Sequence, residues 1–171
     1  MNQEPAHTAL HLMSFLGMSD RRASAGEGET ELDVGPLARA LMLPVFDRSH
    51  LHIVDDRGTA QPDEAHSYVA WLRTLRNKAR LVPLSITVHS QWPINEKPSS
   101  VAGAFQAAAT AHAEARSHGA SARGWAYNLS SGTSGMGIAL ALVATSPLTM
   151  GEAFFVDRQV GVEWVHWPTL R

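Results

Sequence analysis

Short apolar, β-branched runs alternate along this chain with longer segments whose apolar residues recur at helical spacing, and that alternation constrains the fold more than any other feature. Leu10 to Leu16 reads as a first buried strand stopped by Gly17, Leu51 to Val54 as a second, Leu81 to Val88 as a third and Trp125 to Tyr127 as a fourth. Between them, Pro36 is placed to open a short helix through about Met42. Ala65, Val69, Leu72 and Leu75 share one face of a helix from Pro62 to Lys78. Val101, Phe105, Ala108, His112 and Ala115 do the same for an alanine-rich helix ended by Gly119. Met136 to Ala144 reads as a further helix. Ala153 to Val156 and Val160 to Trp167 read as strands joined in a hairpin through Arg158-Gln159. Strands separated by helices pair in parallel through right-handed crossovers. The expected fold is therefore α/β, a Rossmann-like doubly wound, mainly parallel sheet with a C-terminal strand hairpin.

The stretch from Met18 to Gly35 carries acidic, basic and small residues without apolar periodicity, and it is expected to form a mobile loop over one end of the sheet. At 171 residues and 44% apolar content, the chain suffices for one domain with a buried core, spanning 1–171. Fourteen basic against sixteen acidic side chains leave a net charge of −2. No overall basic field then draws in long nucleic acid, so a nucleotide would have to be captured locally. Cysteine is absent, which removes disulfides and thiolate metal sites. The N-terminus lacks the basic region and apolar core of a signal peptide, and no apolar run reaches the roughly 20 residues that span a bilayer. A cytoplasmic protein without membrane contact is expected.

The most informative local segment is Asn128-Leu129-Ser130-Ser131-Gly132-Thr133-Ser134-Gly135-Met136, between the fourth strand and an Ala/Leu-rich helix. Small residues there leave backbone N–H groups and hydroxyls free to face a ligand, and the following helix would direct its positive end at the same place. That combination suits a phosphate. Ligands of doubly wound sheets bind beyond the carboxyl ends of the strands, where strand order reverses. Gly17, Met18 and Ser19 end the first strand in the same manner, so the two loops are expected to share one pocket.

These residues carry a resemblance. Tyr127-Asn128-Leu129-Ser130-Ser131-Gly132-Thr133 with Met136, followed by an Ala/Leu helix, resembles the signature turn of CRISPR-associated Rossmann-fold (CARF) domains. Phe15-Leu16-Gly17-Met18-Ser19 is similar to that family's first ligand loop. The likeness extends over most of the chain and includes the sensor domain of RNA-repair transcriptional activators. It implies a single ligand-sensing domain that forms a homodimer and binds a cyclic oligoadenylate across the two-fold axis, in type III CRISPR antiviral signalling. A fused or separate effector would read the signal, and no cofactor is implied. Ser130, Ser131, Gly132, Thr133 and Ser134 with Met136 would form one wall, and Gly17, Met18 and Ser19 the other. Asn128 either touches the ligand or braces its own turn.

The alternative is a stand-alone ring nuclease that cleaves the cyclic ligand. Relatives with that activity carry a lysine directly after Gly-Thr, where it stabilises charge on the scissile phosphate. Here the position is Ser134, which favours sensing, and no catalytic residue is assigned. Arg21 and Arg22 could replace the lysine or form a solvated ion-pairing surface.

Other chemistries find less support. The nine histidines show no i, i+4 pair with a neighbouring carboxylate, so no metal site is expected. His89 could reach a pocket rim, and Trp92 could stack on a base or pack its loop. Asp55 and Asp56 could bind a ribose, yet Gly-x-Gly-x-x-Gly is missing after the first strand, and Gly-x-Ser-x-Gly is not formed at Ser130.

Overall fold

A computed structural model describes residues 9–30, 33–57, 61–147, 149, 151–159 and 161–167. Among these, six strands form one sheet. They are β1 (His11–Phe15), β2 (His50–Val54), β3 (Ile86–His89), β4 (Trp125–Asn128), β5 (Glu152–Asp157) and β6 (Gly161–Trp164). The helices are α1 (Met18–Ser24), α2 (Gly35–Leu41), α3 (Pro62–Lys78), α4 (Val101–Ser117) and α5 (Ser134–Thr145), with a 3-10 turn at Pro44–Phe46. Strand order is β3-β2-β1-β4-β5-β6, parallel except for the antiparallel β5–β6 pair. The expected sheet class and terminal hairpin are both present.

Alternation along β1 sorts the core into two layers. Leu12 and Leu16 join Leu37, Leu41, Tyr68 and Leu72 of α2 and α3 on one face. Met13 and Phe15 join Ala104, Ala108, Met136 and Leu140 of α4 and α5 on the other. Alanines along α4 let α5 lie close against it. No helix among the described residues is long and apolar enough to cross a membrane.

Four boundaries differ from expectation by two residues or more. Residues 18–24 are helical, because the Asp20 carboxylate accepts the Gly17 amide hydrogen in a capping arrangement that replaces the missing apolar periodicity. β3 begins only at Ile86, since Pro83 supplies no ladder donor in the run that precedes it. α5 starts two residues early at Ser134, where the Thr133 hydroxyl caps it. β6 ends at Trp164, three residues short of Trp167, and Val160, the expected start of that strand, lies outside the described residues.

Candidate functional site

Strand order reverses between β1 and β4, which run side by side with Ser14 opposite Asn128. Their C-terminal loops therefore emerge together, and Gly17 and Gly132 bring them into main-chain contact. A Cβ on Gly17 would fall 2.9 Å from Gly132 Cα and nearer still to its amide nitrogen. Gly132 itself has φ of +94°, a conformation costly for any side chain. Two glycines thus make one floor from two loops.

Above this floor is a cleft of about 190 Å³, lined by Gly17, Met18, Ser19, Ser130, Gly132, Thr133 and Met136 among others. Seven of the ten expected ligand positions come together there. Met18 and Ser19 are exposed at the rim, while Met136 is buried beneath it. The other three lie elsewhere. Asn128 is fully buried, donating from Nδ2 to Ser14 Oγ at 3.2 Å and Ser131 Oγ at 2.9 Å while Oδ1 accepts from the Ser130 amide at 3.0 Å. Of the two roles open to it, the structure gives Asn128 the bracing one. Ser131 is buried in the same network, and Ser134 is exposed at the start of α5, outside the cleft lining.

Hydroxyls that seemed available have structural partners. Thr133 Oγ1 donates to Pro98 O at 2.9 Å and accepts from the Met136 amide at 3.3 Å. Ser130 Oγ accepts from the Val156 amide at 2.7 Å, tying the turn to β5 and leaving its own hydrogen for a ligand. The Thr133 and Met136 amides already donate to Met136 Sδ and Thr133 Oγ1, so what the turn can offer besides Ser130 is the remaining main-chain N–H groups at the start of α5, of the kind a helix's first turn leaves open.

Charge enters from Arg21 and Asp56, which the sequence had raised, and from Arg57, which it had not. Arg57 and Asp56, from the loop after β2, line the cleft with Arg21 and with Pro36 and Pro98. Arg21 is neither loop-borne nor solvated. Only 6% exposed, it sits in α1 and meets Asp55 at 2.8 Å, Asp56 at 2.7 Å and Glu64 at 3.0 Å. Its charge is committed to three carboxylates. Arg57 has only a 3.5 Å pair with Glu64 and is a third exposed, so it is the cation more readily turned toward a ligand. Arg22 is exposed. The signal for Arg57 was its place in Asp55-Asp56-Arg57, directly after an apolar strand.

Asp20 holds this end of the molecule together. Its carboxylate accepts from the Gly17 amide at 3.1 Å and from the Leu37 amide of α2 at 2.9 Å, and it also bonds the Ser131 side chain. Burial pushes its pKa up to about 6 despite these bonds. Asp55 is occupied by Arg21 and the Arg57 amide. Trp92 donates its indole N–H to Glu96 O and meets Phe15 edge-on, and it packs its loop. His89 is buried against Glu114 of α4, away from the cleft lining.

Comparison with solved structures gives matches to this architecture. Csm6 from Enterococcus italicus, bound to cyclic hexa-2'-fluoro-hexa-dAMP, superposes with a TM-score of 0.58 over 91% of this chain at 14% identity. The fold is CARF-like. Can2 from Sulfobacillus thermosulfidooxidans, in complex with cyclic tetra-adenylate, matches with a TM-score of 0.51 over 89% of this chain at 10% identity. Protein VC1899 from Vibrio cholerae gives 0.50 over 91% at 14% identity. The chain spans about a third of each of these proteins, 35%, 33% and 33% respectively. No protein-family model and no curated protein matches it in sequence.

Proposed function

We propose that this chain is a sensor domain for cyclic oligoadenylate in type III CRISPR signalling, working as a homodimer and coupled to a fused or separate effector. The observation that carries the reading is the contact of the β1 and β4 loops through Gly17 and Gly132 at the switch point of a CARF-like sheet. Backbone N–H groups, the Ser130 hydroxyl and Arg57 provide phosphate and ribose recognition without base-specific demands. The nucleotides bound by Csm6 and Can2 support this ligand class.

Size supports the dimer. Pockets for drug-sized ligands already measure roughly 300–1,000 Å³, and a ring of four or more nucleotides needs more than the 190 Å³ of one cleft. A second copy would supply the other half. Ser134, Ile138 and Leu142 lie four residues apart on one stripe of α5, running away from the cleft, with Ile138 and Leu142 about half exposed. Such a stripe suits a two-fold contact beside the ligand.

Sensing is favoured over cleavage because the position after Gly132-Thr133 is an exposed serine and Arg21 is neutralised. Thermal shift with cyclic di-, tri-, tetra- and hexa-adenylate, followed by product analysis of each mixture, tests both parts. A ligand present at 100 times its Kd stabilises by about 2.7 kcal/mol, so one ring size should raise Tm by several degrees and be recovered intact. Linear products would replace sensing by ring cleavage, and an unchanged Tm with every ring would refute the ligand class.

A further inference from the structure

A second polar cluster lies on the α4 face of the sheet, remote in chemistry from the glycine floor. His11 of β1 and His50 of β2 are direct register partners, and His52 lies two positions further along. His52 in turn faces Thr87 of β3, with His89 two positions on. Parallel pairing therefore lays His11, His52 and His89 in a diagonal row, because each step of two residues keeps the side chain on the same face. His112 and Glu114 of α4 close over this face, and Trp125 of β4 stacks on His11 at 4.6 Å.

The row is hydrogen-bonded end to end. His11 Nδ1 is 3.3 Å from His52 Nε2, His52 Nδ1 is 3.1 Å from His89 Nε2, and His89 Nδ1 is 2.9 Å from Glu114 Oε2. The Ser121 amide donates to His11 Nε2 at 3.3 Å. One set of tautomers satisfies every contact: each Nδ1 carries the hydrogen and each Nε2 is bare. Glu114 thereby fixes His89, and His89 fixes His52 with its Nε2 lone pair directed at His11. A carboxylate anchoring imidazoles in this way is the outer support that metal-binding histidines use. His50 stacks on His52 at 4.3 Å and is held by Thr87 Oγ1 at 2.7 Å.

We propose that His11, His50 and His52 form a binding site for a divalent transition-metal ion, Zn²⁺ by preference, with His89 and Glu114 as positioning residues. One ring nitrogen from each of the three lies within 4.8 Å of the others. Tetrahedral Zn²⁺ with bonds of about 2.0–2.1 Å needs nitrogens roughly 3.4 Å apart, so small side-chain rotations close the set. The ion replaces the hydrogen between His11 and His52. That hydrogen moves to His11 Nε2, the Ser121 amide contact is given up, and the proton count is unchanged.

Burial above all, with nearby His50, His89 and Arg116 adding like charge, lowers the pKa values of His11, His50 and His52, the direction that favours the neutral ring a metal needs. A neighbouring cavity of about 420 Å³, lined by these histidines, Thr87, His89, Glu114 and His118, leaves the fourth coordination position to water or a small ligand. The sequence expectation of no metal rested on helical i, i+4 spacing. Parallel strand register is a different route to the same convergence.

The test uses the untagged chain with Zn²⁺ and Co²⁺ alone. Equilibrium dialysis should give one Zn²⁺ per chain, and Co²⁺ should show the intense visible absorption of a tetrahedral site. His11→Gln and His50→Gln should each weaken Zn²⁺ binding at least 100-fold. Glu114→Gln, which removes no ligand, should weaken it about 10–100-fold with unchanged circular dichroism, so the proposal stays testable if a histidine variant misfolds. His66→Asn on exposed α3 should change nothing. The site is refuted if wild type binds no Zn²⁺, if H11Q, H50Q and E114Q bind like wild type, or if H66N abolishes binding.

Discussion

Gly17 is the residue whose smallest change has the largest foreseeable effect. Its hydrogen occupies a place where a methyl group would meet the Gly132 main chain, which cannot swing aside as a flexible side chain does. Gly17→Ala should therefore cost roughly 1–3 kcal/mol through overpacking and part the two loops. Urea denaturation and cyclic tetra-adenylate titration should both register it, and wild-type affinity in the variant would show that the loops need not touch. The sequence disclosed both glycines and the polar turn, because the demand for a small residue is local. It did not disclose which hydroxyls were already engaged. Ser131 and Thr133 read as ligand groups in one dimension, yet they bond Asp20 and Pro98, far away in the chain.

At the scale of elements, Asp20 joins the first turns of α1 and α2 through a single carboxylate. Strand and helix periodicity made most elements legible, whereas α1 was hidden because its stability comes from this cap and from the buried Arg21 pairs and not from an apolar stripe. The cap has a pH signature. Raising a carboxyl pKa from 3.8 to about 6 on folding means that the folded state keeps its proton while the unfolded state has lost it. Stability from this group is highest below pH 3.8 and declines as pH rises to about 6, by roughly 3 kcal/mol in all. Arg21 beside it on α1 favours the charged form, and Tyr68 of α3 also faces it. Comparing wild type with Asp20→Asn isolates the group from the histidines. The stability advantage of wild type over D20N should shrink between pH 4 and pH 7 in denaturant titrations, and a constant gap would contradict it.

For the whole molecule, the proposed function asks a chain with a cleft of about 190 Å³ to hold a much larger ring. The proposed pairing through α5 would meet that demand, and it makes a direct prediction. Ile138→Glu places a charge on the exposed stripe without touching the core. Sedimentation should change from dimer to monomer, with stability at low protein concentration altered by no more than about 0.5 kcal/mol. A wild-type chain that sediments as a monomer both with and without ligand would overturn the two-fold arrangement. The sheet class was legible from the alternation of runs, but strand order was not, since periodicity records which residues are buried and says nothing about neighbours. The histidine row shows the same limit: its members come from three separate strands and converge only through register.

The glycine floor also bears on how such a fold is encoded. A cradle built from main chain writes very little of itself into the alphabet of side chains, so nearly every position around it is free to drift. Chains sharing such a fold can then fall to 10–14% identity while the scaffold persists. Likeness of this kind is recorded in the path of the backbone, and in this chain Gly17 and Gly132 are the residues that path demands.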